Sequence, residues 1–485
     1  MFKDATLNEV SDAMHRSNTA FKLYKKYSIK QRAMLMRTIA QEIEAIGDLL
    51  IETTMRETNL PEARLRGERG RTIYQLNSYA DACEKGDWLE ASICLAIPDK
   101  VPPRPDIRKM MVPIGPVVVF GSSNFPFAYS TAGGDTATAL AAGCTVVVKA
   151  HPAHPETSAL VAGAIHNALA KLNMPKDIFI HLHGASFAIG EALVKNENTK
   201  AVGFTGSYTG GMALFNWANQ RKEPIPVFAE MGSVNPVFLF GEELAKNPAA
   251  YANMLADSIT LGVGQFCTNP GIIVGLDSPA LVQFIEKLAE RISESAIGKM
   301  LHSGIAQAYE QKSKRAVSQK GVKVNSDASR QPSKEISSPI LVSVTASNFL
   351  SNPILKEEVF GPFSIVVICN DASEMKRVAE SMEGQLTSTL IASNNDIIAH
   401  EDIVDVVTGK CGRIIMNGVP TGVEVCLAMQ HGGPFPASTD SRFTSVGADG
   451  IKRFARPISY QNFPDALLPE ELKSENPLLI NRNVE

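Results

Sequence analysis

The 485-residue chain is predicted to be an α/β protein with a doubly wound parallel sheet and a second α/β domain, and three observations predict it. Short apolar runs rich in β-branched residues recur along the chain, stretches of helical composition separate them, and glycine-containing loops follow several of them. Strands apolar on both faces and spaced by helices fit a parallel sheet covered on both sides. At roughly 100–200 residues per domain, the length allows two to four domains, each with its own core.

The opening region reads as helical. Met36, Ile39, Ile43, Ile46 and Leu50 recur at helical spacing after Ser28, which with Gln31 forms a capping box. Beyond Pro102 and Pro103 the texture changes to a β-branched run, 112–120, followed by the loop Gly121-Ser-Ser-Asn-Phe-Pro-Phe127. Runs 145–149, 178–183 and 201–205 read as further strands, with a helix over 158–172. A second set covers 236–240, 271–274, 364–369, 389–392 and 413–417. The polar, mixed-charge stretch 311–338 reads as a surface excursion, and the tail after Phe463 as a segment packed on the surface or on a neighbouring subunit.

Composition narrows the function classes. With 44% hydrophobic residues the chain can bury cores, which excludes disorder. The 51 acidic against 47 basic residues give a formal charge of −4, so no net field favours nucleic acid or an anionic membrane, and neither is expected as a partner. Seven scattered cysteines without a C-x-x-C pair suit a reducing compartment. The first residues are too polar for a signal peptide and no run reaches the ~18 apolar residues of a spanning helix, so a cytoplasmic protein is expected.

Several segments could carry chemistry. Cys267 sits in a glycine-punctuated loop, Gly262-Val-Gly-Gln-Phe-Cys267, where a thiolate could be presented beside backbone N–H groups; a buried structural cysteine is the commoner alternative. Glu230 ends an apolar strand beside Ala229, Met231 and Gly232, so poor solvation is expected to raise its pKa and suit it as a general base for water; a salt-bridged or capping glutamate is the alternative. Asn124, in a strand-end loop, could donate to an oxyanion or simply form a turn. Lys149 at a strand end, and Gly206 and Ser207 in a small-residue loop entering a helix, could hold phosphate or ribose oxygens, although neither segment is a G-x-G-x-x-G or Walker fingerprint. Histidines 151, 154, 181 and 183 lack a convincing ligand arrangement, and no metal is expected.

In order, Asn124 with Phe-Pro, Lys149, Phe204-Thr-Gly-Ser207, Glu230 before Met-Gly, Gly264-Gln-Phe-Cys267 and Glu357-Glu-Val-Phe-Gly-Pro362 resemble the aldehyde dehydrogenase superfamily over nearly the whole chain. The resemblance implies an aldehyde dehydrogenase-like fold: a dinucleotide-binding domain (1–94 and 109–229), a catalytic domain (230–462) and oligomerisation segments (95–108 and 463–485). It implies Cys267 as nucleophile, Glu230 as general base, and Asn124 with the Cys267 N–H as oxyanion hole. Lys149, Gly206, Ser207, Glu358 and Phe360 would contact NADP or NAD. A homodimer or homotetramer is implied as well.

Departures from the common pattern refine this. Pro152 stands where the family carries a ribose-binding glutamate, so a 2′-phosphate is not repelled and NADP is favoured; Lys195 is a possible phosphate partner. The segments Lys149-Ala-His-Pro-Ala-His-Pro155 and His431-Gly-Gly-Pro-Phe-Pro-Ala-Ser-Thr-Asp-Ser-Arg-Phe-Thr-Ser-Val-Gly447 look like the branch that oxidises 2,5-dioxopentanoate (2-oxoglutarate semialdehyde) to 2-oxoglutarate. A fatty-aldehyde branch shares part of the pattern, and a non-catalytic structural relative is the reading from another class. A substrate carboxylate needs a cationic anchor; Arg442 is the candidate, with an ion pair to Asp440 as its alternative, and Phe127 is a candidate substrate contact.

Overall fold

A computed structural model describes residues 2–326 and 336–485. The first sheet has five strands, all parallel, in the order Phe179–Leu182, Val146–Lys149, Val117–Phe120, Ala201–Thr205, Val227–Glu230. The chain winds outward from Val117–Phe120 in one direction and then, after Leu182, in the other. The switch in strand order therefore lies between Val117–Phe120 and Ala201–Thr205, and crevices at such points are where open α/β sheets bind ligands.

The second sheet has seven strands in the order Lys323–Val324, Ile340–Thr345, Phe363–Cys369, Ile272–Leu276, Val237–Leu239, Gln385–Ile391, Cys411–Met416, parallel except for the first pairing. Its inner strands are buried along nearly their whole length, as a sheet covered on both faces requires. A third, four-stranded sheet joins Ala455–Gln461, Ile107–Pro113, Ser92–Cys94 and Asn483–Val484. It draws strands from both sides of the expected 95–108 and 463–485 segments, so the sheet is wider than those bounds.

Two single runs in the sequence divide in space. The helical pattern after Ser28 is two helices, Ile29–Ala45 and Asp48–Thr58, parted at Gly47 with φ +69°. The capping box of Ser28 and Gln31 is formed. The β-branched run 112–120 is the end of Ile107–Pro113 and the whole of Val117–Phe120, which belong to different sheets; Gly115 turns the chain between them at φ +135°. The stretch 311–338 begins inside the helix Ser303–Val317, and its residues 327–335 lie outside the described residues.

Candidate active site

The first sheet ends, in its carboxyl direction, at Phe120, Lys149, Thr205 and Glu230. Thr205 and Glu230 are register partners, so the glutamate is placed by the sheet. From Glu230 the chain crosses into the second sheet, whose strand Ile272–Leu276 is preceded by the cysteine loop. The site thus forms where the carboxyl edge of one sheet faces the amino edge of the other. A cavity of about 630 Å³ occupies this seam, lined by Asn124, Lys149, Pro152, Gly206, Ser207, Glu230, Cys267, Glu358 and Phe360 among others. Apart from Lys195, every catalytic and cofactor candidate named from the sequence borders this one cavity.

The cysteine loop is held in an unusual backbone path. Gly262, Val263 and Gly264 all have positive φ, and a Cβ on Gly264 would stand 2.3 Å from the Gly361 carbonyl carbon, so only glycine fits there. Asn235, fully buried, donates its amide to the carbonyls of Cys267 (2.8 Å) and Asn269 (3.0 Å) while its Oδ1 accepts from Ser233 and Thr387 at 3.0 Å each. Asn124 Nδ2 donates to the Gln265 carbonyl at 3.1 Å, which ties the candidate oxyanion amide to the same loop.

The segment 431–446 lies across the end of the first sheet: Met231 N–H donates to Ala437, and Glu230 bridges to Ser438. This brings in two residues to which the sequence reading gave no role. His431 Nε2 is 3.1 Å from Glu230 Oε1 and 3.7 Å from Cys267 Sγ, and Ser445 Oγ donates to Glu230 Oε2 at 2.7 Å. The signal for His431 and Ser445 was their place in the segment 431–447 that marks the resembled branch; neither they nor Asn235 were given a role.

The electrostatics correct one expectation. Burial by itself would raise the Glu230 pKa, as expected from its apolar neighbours, but the His431 charge and hydrogen bonds from His431, Ser445 and the Cys267 thiol together hold it below the ordinary carboxylate value. Cys267 moves the other way. Burial, then the Glu230 charge and hydrogen bond, push its thiol well above the usual value, with Arg71 opposing. Sγ, Nε2 and a Glu230 oxygen also lie within 4.8 Å of one another, a spacing compatible with a metal ion. That donor group was not among the dispersed histidines from which no metal was expected.

Cofactor chemistry fits the rest of the cavity. Lys149 is half-buried on the cavity wall; burial lowers its pKa against the opposing charge of Asp4, and its ammonium could meet a phosphate or ribose oxygen there. Ser207 caps the helix Tyr208–Asn219, whose amino end opens on the cavity beside Gly206. Glu358 packs against Gly232, where a Cβ would come within 2.5 Å of its carboxylate, and Ser233 N–H approaches it at 3.4 Å. Lys195 instead pairs with Glu191 at 2.5 Å and does not border the cavity.

Both substrate candidates lie elsewhere. Phe127 is 1% exposed and packs in the helical core, because its N–H and that of Ala128 bind Glu68 Oε1 and turn the ring inward. Phe125 faces the cysteine loop in its place, edge-on to Phe266 with ring centroids 5.5 Å apart. Arg442 is 79% exposed and paired with Asp440 at 2.5 and 2.8 Å, away from the cavity.

Comparison with known proteins identifies the family and the fold. The sequence model of the aldehyde dehydrogenase family matches residues 1–454. Alpha-ketoglutaric semialdehyde dehydrogenase 2 of Azospirillum brasilense is 48% identical over 99% of this chain and 92% of its own, and the alpha-ketoglutaric semialdehyde dehydrogenase of Acinetobacter baylyi 44% identical over 100% and 92%. Among solved structures, the glyceraldehyde-3-phosphate dehydrogenase GapN of Methanocaldococcus jannaschii, complexed with NADP, superposes with a TM-score of 0.79 at 22% identity, covering 95% of both chains. Betaine aldehyde dehydrogenase of Staphylococcus aureus gives 0.81 at 18% identity over 96% of this chain and 90% of its own.

Proposed function

The chain belongs to the aldehyde dehydrogenase family, whose members use NAD or NADP, and from that premise we propose that it oxidises 2-oxoglutarate semialdehyde to 2-oxoglutarate. The observation that carries the substrate is the 48% and 44% identity, end to end, to two enzymes named for that semialdehyde.

The residues lining the seam support a covalent route. Cys267 thiolate attacks the aldehyde carbon, giving a thiohemiacetal whose oxyanion the Asn124 amide and the Cys267 N–H stabilise. Glu230, hydrogen-bonded to the Cys267 thiol and held in place by His431, is placed to take the thiol proton and release it to solvent. A dinucleotide held by the residues of this cavity would supply the hydride acceptor that lets the thiohemiacetal collapse to a thioester. Glu230, kept ionised by His431 and Ser445, then takes a proton from the water that cleaves the thioester and frees Cys267.

Lys149, Gly206, Ser207, Glu358 and Phe360 would hold the dinucleotide, and Pro152 in place of a carboxylate favours NADP. In this reading, 1–94 and 109–229 serve the cofactor and 230–462 the chemistry. A homodimer or homotetramer is supported by apolar side chains exposed between two strands of the four-stranded sheet: Leu95, Ile97 and Val101, the last at 93%. All seven cysteines are free, which suits a reducing, cytoplasmic setting. Among the described residues no helix is long and apolar enough to cross a membrane.

The test is the initial rate of reduced-nicotinamide formation with 2-oxoglutarate semialdehyde against medium and long straight-chain aldehydes, in NADP and NAD, with Cys267→Ala as control. Preference for the semialdehyde, lost in the variant, is expected. Preference for long-chain aldehydes would overturn the substrate, and no turnover of any aldehyde would overturn the catalytic assignment.

A further inference from the structure

Three arginines stand around Cys267, and none of them borders the cofactor cavity. Arg64 donates from Nη2 to the Asn124 carbonyl at 2.6 Å and lies between two rings, 4.9 Å from the Phe125 centroid and 4.6 Å from that of Phe266. Arg71 donates to the Tyr129 hydroxyl at 3.1 Å, and the Tyr129 ring stands 6.1 Å from that of His431. Arg413 donates to the carbonyls of Pro420 (2.7 Å) and Gly422 (3.1 Å). Among the described residues none of the three makes an ion pair, and each keeps one buried N–H without a hydrogen-bond partner: Nη1 of Arg64 and Nε of Arg71 and Arg413.

An arginine half removed from water without a carboxylate is a costly arrangement unless something supplies one. Two acids stand in this region: Glu230, already engaged by His431 and Ser445, and Glu68, on the same face of the helix Glu62–Lys85 as Arg64 and Arg71, one of whose oxygens is taken by two backbone N–H groups and whose pKa burial pushes up. Positive charge therefore exceeds negative here. All three arginines are close enough to Cys267 to interact with the charge of its thiolate. The sulfur thus has the dinucleotide cavity on one side and this cluster on another.

We propose that Arg71 and Arg413, backed by Arg64, form the subsite that holds the carboxylate of the substrate while its aldehyde carbon meets Cys267. This rests on the semialdehyde reading above. In a five-carbon oxo acid the carboxylate carbon is four bonds of about 1.5 Å from the aldehyde carbon, about 5 Å when extended, a span that joins the sulfur to residues immediately around it. A guanidinium meets a carboxylate with paired N–H donors, which also fixes the orientation of the chain between them. An uncharged aliphatic aldehyde gains nothing from these residues.

The test compares kcat/KM for 2-oxoglutarate semialdehyde with that for pentanal in the wild-type enzyme and in Arg71→Met, Arg413→Met, Arg71→Lys and Arg413→Lys. Because Arg71 also influences the thiol, the readout is the ratio of the two substrates within each variant, which cancels any general effect on Cys267 or on the fold. The ratio should fall about 100-fold in the Met variants, mainly through KM of the semialdehyde, and recover in part in the Lys variants. Competitive binding of glutarate, followed by calorimetry, should weaken in parallel and needs no turnover. A wild type that prefers the semialdehyde while both Met variants keep that preference would overturn the subsite alone. A wild type without that preference would overturn the substrate reading, and the subsite with it.

Discussion

The imidazole of His431 stands 3.1 Å from the carboxylate of Glu230, and the same nitrogen is 3.7 Å from Cys267 Sγ. One buried ring therefore couples the candidate nucleophile to the candidate base, and its influence on them is asymmetric: it favours the charged carboxylate, while the carboxylate disfavours the thiolate. The site holds a thiol pushed toward its neutral form beside a carboxylate pushed toward its ionised form, with the imidazole in contact with both.

Replacing His431 by Gln should preserve the shape of the site and remove the ring that holds the Glu230 carboxylate beside the thiol. Single-turnover kinetics should show the burst of reduced nicotinamide slowed about 100-fold, the usual scale of a disabled general base, for every aldehyde tried. A burst of unchanged rate with slower steady-state turnover would move the role of His431 to thioester hydrolysis.

The pH dependence of Cys267 alkylation follows from the same pair. Its thiol lies well above the ordinary cysteine value because of burial and then of Glu230, so the iodoacetamide rate should still be climbing above the pH at which a free thiol levels off. Glu230→Gln removes a negative charge that raises the thiol pKa; the alkylation curve should shift to lower pH even though hydrolysis is lost. A curve that stays in place would mean that burial alone governs the thiol.

Much of this was legible in the sequence, for physical reasons that also mark where legibility stops. Val146-Val-Val-Lys149 and Ala201–Thr205 are apolar on both faces and announce buried parallel strands, and residues at strand ends then fall at the sheet edge where ligands bind. Gly115 hides its break because β-branched residues flank it on both sides; only pairing in two different sheets shows that 112–120 is not one strand. His431 was invisible as a functional residue because its partners come from positions 230 and 267, joined to it by tertiary packing and by no local period. For Glu230 the apolar neighbours were read correctly and the sign of the pKa shift was not, since the groups that reverse it, His431 and Ser445, are remote in sequence.

Pro152 borders the cofactor cavity close to Lys149 in the chain. Pro152→Glu would place a carboxylate on the wall of that cavity, and under the proposed NADP preference kcat/KM with NADP should fall about tenfold relative to NAD, from like-charge repulsion. Steady-state kinetics in both cofactors measures this directly. An unchanged ratio would show that position 152 does not face the adenosine ribose.

Asn235 tests whether the cysteine loop is held from beneath. Its φ of +44° is a conformation that asparagine tolerates better than most residues, and its side chain spans from the Cys267 carbonyl to Thr387 in the second sheet. Asn235→Ala leaves two loop carbonyls without their donor at a cost of about 1–3 kcal/mol each if they stay dry. Asn235→Asp should be worse, because it turns a carboxylate oxygen toward the carbonyls of Cys267 and Asn269. If the loop is organised by these bonds, both variants should lose selective labelling of Cys267 by an aldehyde-mimicking electrophile well below the temperature at which far-UV dichroism reports unfolding, with Asp failing first. If both lose labelling and dichroism together, Asn235 supports the second sheet as a whole, and the position of the Cys267 N–H must be set by Gly264 and its contact with Gly361.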